Sequence, residues 1–99
     1  MEEKIDRAIE VVKARMPALT VHSDMQKAAQ AVLNLATAKG LYATLSKTDD
    51  TDEALEFVLG RVRSNLGATE MQQVTQAVLN LMHAKAQVQP AKTSKAKTN

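Results

Sequence analysis

The chain has 99 residues, 44% of them hydrophobic, and contains no cysteine. This length predicts one domain, and the lack of cysteine excludes a disulfide, a thiolate metal site and a thiol nucleophile. The formal net charge of +2 is unevenly placed, because residues 1 to 90 carry ten Lys and Arg against eleven Asp and Glu, whereas the last nine residues add three lysines.

The N-terminal segment is charged and amphipathic. Apolar residues recur at three- and four-residue steps from Ile5 to Met16, with acidic residues first and basic residues later, until Pro17 interrupts the pattern. This spacing predicts a helix over residues 3 to 16. The segment lacks the apolar run of a secretory signal, and no segment approaches the ~20 apolar residues of a membrane span, so we expect a soluble, cytoplasmic protein.

The second helix is predicted over residues 24 to 39. Its start is indicated by Ser23-Asp-Met-Gln26, which matches the capping-box pattern. Gly40 favours a stop or a kink, and continuation to about Leu45 is the alternative. Val32 lies at the centre of the apolar arc, as Val78 does in the fourth helix. The residues expected to face inward are Met25, Ala28, Ala29, Val32, Leu35 and Ala36.

The second half of the chain repeats these signals. A polar link at residues 46 to 51 precedes a third helix predicted over 52 to 66, with Asp50 and Glu53 as its capping box. A second box, Thr69-Glu-Met-Gln72, opens a fourth helix predicted over 70 to 87. Its expected inward residues are Met71, Val74, Val78, Leu81 and Met82, and small inward residues across the four helices are Ala8, Ala28, Ala29, Ala36 and Ala54.

The two halves align without a gap. Residues 6–39 lie over residues 52–85, forty-six positions on, and ten of the fifteen positions from Met25 to Lys39 are identical in the second copy. A tandem duplication is the simplest explanation. We therefore predict an all-α fold, in which two duplicated helical hairpins form a pseudo-two-fold four-helix bundle. We expect the domain to span residues 1 to 90 and residues 91 to 99 to form a disordered tail.

No residue pattern indicates catalysis, a cofactor or a metal. His22 and His83 have no second histidine or cysteine at a ligand spacing. The acidic residues between Asp49 and Glu56 lack the spacing of a calcium loop and are typical of a helix N-terminus. The glycines stand alone, which gives no support for a phosphate loop. We expect a protein that is not an enzyme.

Two features retained in both copies are the candidates for binding. A polar stripe, Gln26, Gln30 and Asn34, recurs forty-six residues on, and we expect it to face outward. Solvated helix polars explain this stripe, and a partner surface is the alternative. Leu33 and Leu79 lie at the edges of their apolar arcs, where they either widen the core or form a contact patch. The predicted interaction residues are Gln30, Leu33, Asn34, Gln76, Leu79 and Asn80.

These observations favour a helical protein–protein interaction module: a regulator, adaptor or inhibitor whose partner is another protein, with a homodimer allowed. The alternative is a nucleic-acid-associated accessory protein. In that case Lys92, Lys95 and Lys97 would attract phosphates without sequence preference.

Overall fold

The computed structural model describes residues 1–45, 50–64 and 66–88, and within these ranges the chain is helical and has no strand. The predicted all-α class is confirmed. Part of the predicted polar link, residues 46–49, and the predicted tail at 91–99 lie outside the described residues. The helices are α1 (Glu2–Arg15), followed by a 3₁₀ turn (Met16–Ala18), α2 (His22–Ala43), α3 (Asp50–Val62) and α4 (Ala68–Val88).

Both predicted capping boxes of the long helices are wrong by a few residues. Helix α2 already begins at His22, because the Val21 carbonyl accepts the first intrahelical bond from the Met25 amide at 3.0 Å. Ser23 therefore lies inside the helix, and no side chain caps the N-terminus of α2. In α4 the cap comes from the other direction, since the Gly67 amide donates to Glu70 Oε1 at 3.1 Å.

Helix α2 continues through Gly40, so the predicted stop or kink there is wrong and the longer alternative is nearer the structure. No described glycine has a positive φ, which the left-handed cap would need. The helix ends at Ala43, where Thr44 Oγ1 donates to the Leu41 carbonyl at 2.7 Å. The third helix begins at Asp50, so that residue lies within the helix and is not its predicted cap.

Each copy of the sequence repeat corresponds to one antiparallel helical hairpin. An ion pair joins α1 to α2, with Lys39 Nζ 2.7 Å from Asp6 Oδ1. The repeat-equivalent pair joins α3 to α4, with Lys85 Nζ 2.8 Å from Asp52 Oδ1. The two pairs differ in burial, because both side chains of the first are about half exposed and Lys85 is almost fully buried.

The two hairpins lie side by side with equivalent helices parallel. The most extensive helix–helix contact is between α2 and α4, and α1 also contacts α3. In both pairs, contacts near the start of one helix are made to the earlier part of the other segment, and contacts further along are made to its later part. The paired helices are therefore parallel. The polar contacts are Lys27 Nζ to Thr69 Oγ1 (2.8 Å), Asn34 Nδ2 to Thr75 Oγ1 (3.2 Å), Lys4 to Glu56, and Arg15 Nη1 to the Leu66 carbonyl (3.4 Å).

The core lies between the four helices, and α4 buries the face that its sequence predicts. Met71, Val78 and Met82 are buried, and Val74 and Leu81 are half-buried. The core residues from the other helices include Ile5, Ala8, Val12, Ala28, Ala31, Leu35, Ala38, Leu55, Leu59 and Val62.

Helix α2 buries only part of the predicted face, since Ala28 and Leu35 are buried as expected. Ala29 and Ala36 are exposed and Val32 is only half-buried, whereas Ala31 and Ala38 are fully buried. The reason is that α2 packs against α1 on one side and α4 on another, and small residues allow α4 to approach closely. On α3, Ala54 is also exposed, contrary to prediction.

The predicted pseudo-two-fold arrangement is not confirmed for the described helices. A two-fold axis relates every contact to its repeat equivalent. The contact between Asn34 and Thr75 would then require one between Asn80 and Ala29, yet both of those residues are exposed. The hairpins therefore meet through unlike faces, in a heterologous contact.

Candidate protein interface on the second helix

Asn34 connects the two hairpins and does not face outward as predicted. Its side chain is 1% exposed. Its Oδ1 accepts from Gln30 Nε2 at 3.1 Å, while its Nδ2 donates to Thr75 Oγ1. The Thr75 hydroxyl in turn donates to the Met71 carbonyl at 2.7 Å. Asn34 is therefore a buried, hydrogen-bonded core residue that an outside partner does not reach.

The repeat-equivalent Asn80 lies on the surface. Its Oδ1 accepts from Gln76 Nε2 at 3.1 Å, the same bond at the same length as in the first copy. Both of these side chains are exposed, and Gln30 is half-buried. The two copies thus place the same asparagine differently. Asn34 donates to the neighbouring helix α4, whereas Asn80 accepts the same bond from its glutamine and faces solvent.

The two candidate leucines also differ. Leu33 is 57% exposed, whereas Leu79 is half-buried and packs against the core. Around Leu33, one side of α2 carries apolar or small residues along its length, and all of them are exposed; we name this side the α2 strip. The α2 strip consists of Met25, Ala29, Leu33, Ala36 and Gly40.

The equivalent side of α4 is covered. Met71, Thr75 and Met82 are buried there, and Leu79 and Ala86 are half-buried. The same set of repeat positions is thus core in one hairpin and surface in the other. The α2 strip is a helix face of the kind that the fold buries elsewhere in the same molecule.

Other large apolar side chains are exposed singly. Phe57 is 67% exposed, and the Arg61 guanidinium lies 5.4 Å from its ring centroid. Val88 at the end of α4 is 72% exposed, and Val21 before α2 is 54% exposed. Isolated residues of this kind occur on most protein surfaces, so they are weaker evidence for binding than the α2 strip.

The buried ion pair of Asp52 and Lys85 was missed by the sequence reasoning. Tyr42 covers it: the Lys85 Nζ lies 5.5 Å from the ring centroid, and the Tyr42 hydroxyl donates to Asp52 Oδ2 at 3.4 Å. Burial raises the pKa of Tyr42, and the Asp52 charge adds to that increase. The available signal was that both an aspartate and a lysine are retained at matching positions of the repeat, at Asp6 and Lys39.

The histidines that the sequence singled out are exposed, His22 at the start of α2 and His83 on α4. In the described part of the chain, no three or more His, Asp or Glu residues are grouped to hold a metal ion, and every buried side-chain N or O atom has a hydrogen-bond partner. An open depression of about 320 Å³ lies along α1, lined by Glu3, Asp6, Arg7 and Glu10. The predicted nucleic-acid residues Lys92, Lys95 and Lys97 lie outside the described ranges.

No protein-family model, curated protein or solved structure matches this chain. Among the described helices, none has a stretch that is both long and apolar enough to cross a membrane.

Proposed function

We propose that the protein is a non-enzymatic interaction module, a regulator, adaptor or inhibitor that binds another protein molecule through the α2 strip. The observation that carries the proposal is the exposure of Leu33, at 57%, within an otherwise continuous run of exposed apolar and small residues. A contiguous apolar patch on a small protein is typical of an interaction site.

The form of α2 supports this proposal. The helix has 22 residues and is held by α1 and α4, so its uncovered side is presented on a firmly packed element. Residues of the α2 strip follow one another at three- and four-residue steps, the spacing by which helices occupy apolar grooves. Ala29, Ala36 and Gly40 allow a partner backbone to approach closely, and Leu33 and Met25 supply the larger contacts.

The two hairpins are, on this proposal, products of a tandem duplication. Supporting it are the identity of ten positions in fifteen and the two ion pairs at matching positions, Asp6 with Lys39 and Asp52 with Lys85. Duplication explains why α2 has an apolar face that it does not bury: the face is inherited from a hairpin whose equivalent helix uses it for packing.

The test is Leu33→Lys in the tagged full-length chain. The lysine ammonium can reach water from an exposed position, so the melting temperature should stay unchanged. Capture of partner proteins from the native host's lysate should fall at least tenfold, because a charge now lies within an apolar contact. The matched control is His83→Lys, which adds the same charge at an exposed position of α4 whose repeat equivalent, Thr37, is also exposed, and it should retain the partners.

Equal capture by the parent and by Leu33→Lys would overturn the assignment of the α2 strip. Parallel loss in both Leu33→Lys and His83→Lys would overturn it too, since the effect would then follow added charge rather than position. Untagged copies of the chain are counted separately from other proteins in the captured material.

A further inference from the structure

We propose that the α2 strip is occupied by a second copy of this chain, whose α4 stacks on it in the head-to-tail manner in which α4 stacks on α2 within one molecule. This inference deepens the proposed function and rests on it, because it identifies the partner of the same surface.

The first step is the surface that the second copy would offer. Within the chain, one side of α2 lies against α4, and its members Lys27, Ala31, Asn34 and Ala38 are buried or half-buried. Forty-six residues on, the equivalent side of α4 has no covering helix among the described elements. This α4 strip consists of Gln73, Ala77, Asn80 and Ala84, and three of its four residues are identical to their α2 counterparts.

The second step is the surface on which the α4 strip would lie. Inside the chain, the side of α2 that contains Asn34 contacts the side of α4 that contains Met71, Thr75 and Met82, and these three residues are buried. Their equivalents forty-six residues earlier are Met25, Ala29 and Ala36, the main part of the α2 strip. The molecule therefore has two copies of each of two complementary surfaces, and the internal contact uses one copy of each.

A heterologous contact that leaves one surface of each kind unused can be repeated by the next molecule. Stacked-hairpin proteins extend in this way, and each unit contacts only its neighbours. The α4 strip of one copy would lie on the α2 strip of the next, and the contact would continue the one already formed between the hairpins.

The two equivalent ion pairs at the end of the bundle differ, because only one of them is covered by another side chain. The ion pair of Asp52 and Lys85 is buried beneath Tyr42, whereas the equivalent pair of Asp6 and Lys39 is about half exposed. The position equivalent to Tyr42 is Val88, which is 72% exposed. In the stack, Val88 of the second copy would cover the first pair as Tyr42 covers the second.

Two polar contacts of the internal interface are not reproduced in this one, which makes it weaker than the internal contact. Ala29 has no hydroxyl to accept from the Asn80 amide, as Thr75 does from Asn34. The internal pair of Lys4 and Glu56 becomes Asp50 facing Glu10, two like charges. We therefore expect association that depends on concentration and not a permanent oligomer.

The decisive experiment mixes two full-length variants, Ala36→Glu and Ala84→Glu. Each blocks one strip and leaves the other intact, and both residues are exposed, so the melting temperature should be retained. By sedimentation equilibrium, each variant alone should self-associate at least tenfold more weakly than the parent. Their mixture should restore a dimer of one copy of each, joined through the two intact strips, and should not form larger species. His83→Glu, at an exposed position of α4 whose repeat equivalent Thr37 is also exposed, is the matched control and should associate like the parent.

A parent that remains monomeric up to about 1 mM, or a mixture that fails to form the mixed dimer, would overturn the inference. So would loss of association in Ala36→Glu alone with Ala84→Glu unaffected, since that result describes a two-fold contact of α2 with α2. In each case, a Leu33→Lys variant that still loses a lysate partner would leave the proposed function standing.

A second variant tests the same geometry by gain. Asp50→Lys recreates across the interface the pair that Lys4 makes with Glu56, so it should strengthen association about two- to fivefold at low salt. The gain should disappear in Glu10→Lys/Asp50→Lys, where like charges face each other again. An unchanged affinity in Asp50→Lys at low salt contradicts the proposed register.

Discussion

At the scale of single residues, identical sequence does not give identical surroundings. The run Gln-Ala-Val-Leu-Asn-Leu occurs at Gln30 and again at Gln76, yet Asn34 is 1% exposed and Asn80 is on the surface. Local pattern predicts that a residue lies on a helix and which neighbours share its side. It does not determine which side the other hairpin covers, so the outward placement of Asn34 was wrong and that of Asn80 was right.

This difference predicts unequal effects of the same substitution. Asn34→Ala removes the hydrogen bonds that Asn34 makes with Gln30 and Thr75 inside the core, so it should lower the free energy of unfolding by about 1–3 kcal/mol. Asn80→Ala removes only a surface bond to Gln76, and its effect should stay within about 0.5 kcal/mol. Urea denaturation of both variants measures the difference. Equal effects would contradict the burial of Asn34.

Tyr42 offers a residue-scale test by pH, because it is the sole tyrosine of the chain and its ionisation is read directly from ultraviolet absorbance. Burial, followed by the charge of Asp52, raises its pKa above the usual value of about 10. Asp52→Asn should therefore lower the absorbance midpoint. Asp6→Asn changes the equivalent pair in the other hairpin and should leave the midpoint unchanged, provided that circular dichroism shows both variants folded.

The sign of the accompanying stability change follows from the same shift. A phenol whose pKa is raised in the folded state contributes stability that is complete below pH 10 and is lost as the pH rises through the folded pKa. Lys39 acts in the same direction, because its hydrogen bond to Asp6 raises its pKa. The melting temperature should thus fall above pH 10. A melting temperature that rises there would contradict both assignments.

At the scale of elements, the periodicity of the sequence predicts the number and the type of helices, and their ends are less well specified. The α2 helix continues through Gly40 because Ala38, Leu41 and Ala43 favour helix and packing holds the chain there. The predicted capping boxes also differ from the observed helix starts. Several residues near each start can cap, and the tertiary fold selects one, as it selects Glu70 to bind the Gly67 amide.

The glycines give an element-scale prediction. An added Cβ at Gly40 or at Gly60 meets no atom within 4 Å, and both positions have helical backbone. Gly40→Ala and Gly60→Ala should each stabilise the protein by about 0.5–1 kcal/mol and raise the melting temperature by several degrees. Gly67→Ala is the contrasting variant. It places alanine at the residue before α4, where glycine is the better cap, and should destabilise the fold.

At the scale of the whole molecule, the sequence repeat predicts two similar hairpins and leaves their mutual packing open. Each hairpin has more apolar helix surface than one contact can cover. The two hairpins could therefore pack through the same face of each, or through one face of the first and a different face of the second. The close approach of Ala31 and Ala38 to α4 selects the unlike pairing, and this pairing leaves the α2 strip uncovered. Retention in both copies predicts Leu33 as a contact residue, whereas the apolar pattern places Met25, Ala29 and Ala36 in the core, although the structure exposes them.

The distribution of charge over the whole chain supports a last prediction. Residues 1 to 90 have a net charge of −1, and Lys92, Lys95 and Lys97 supply +3 beyond them. If the protein binds nucleic acid, phosphate contacts from this predicted tail should release about three counterions, so log affinity should fall with log salt at a slope of up to about −3. Deleting residues 91 to 99 should abolish that dependence and leave the melting temperature unchanged.

A full-length chain with the three lysines replaced by glutamine separates the effect of charge from that of length. Anisotropy titrations on duplex DNA across a salt series provide the measurement. Undiminished binding by both variants would place the phosphate contacts on the helices, and a large loss of melting temperature on deletion would show that these residues stabilise the folded domain.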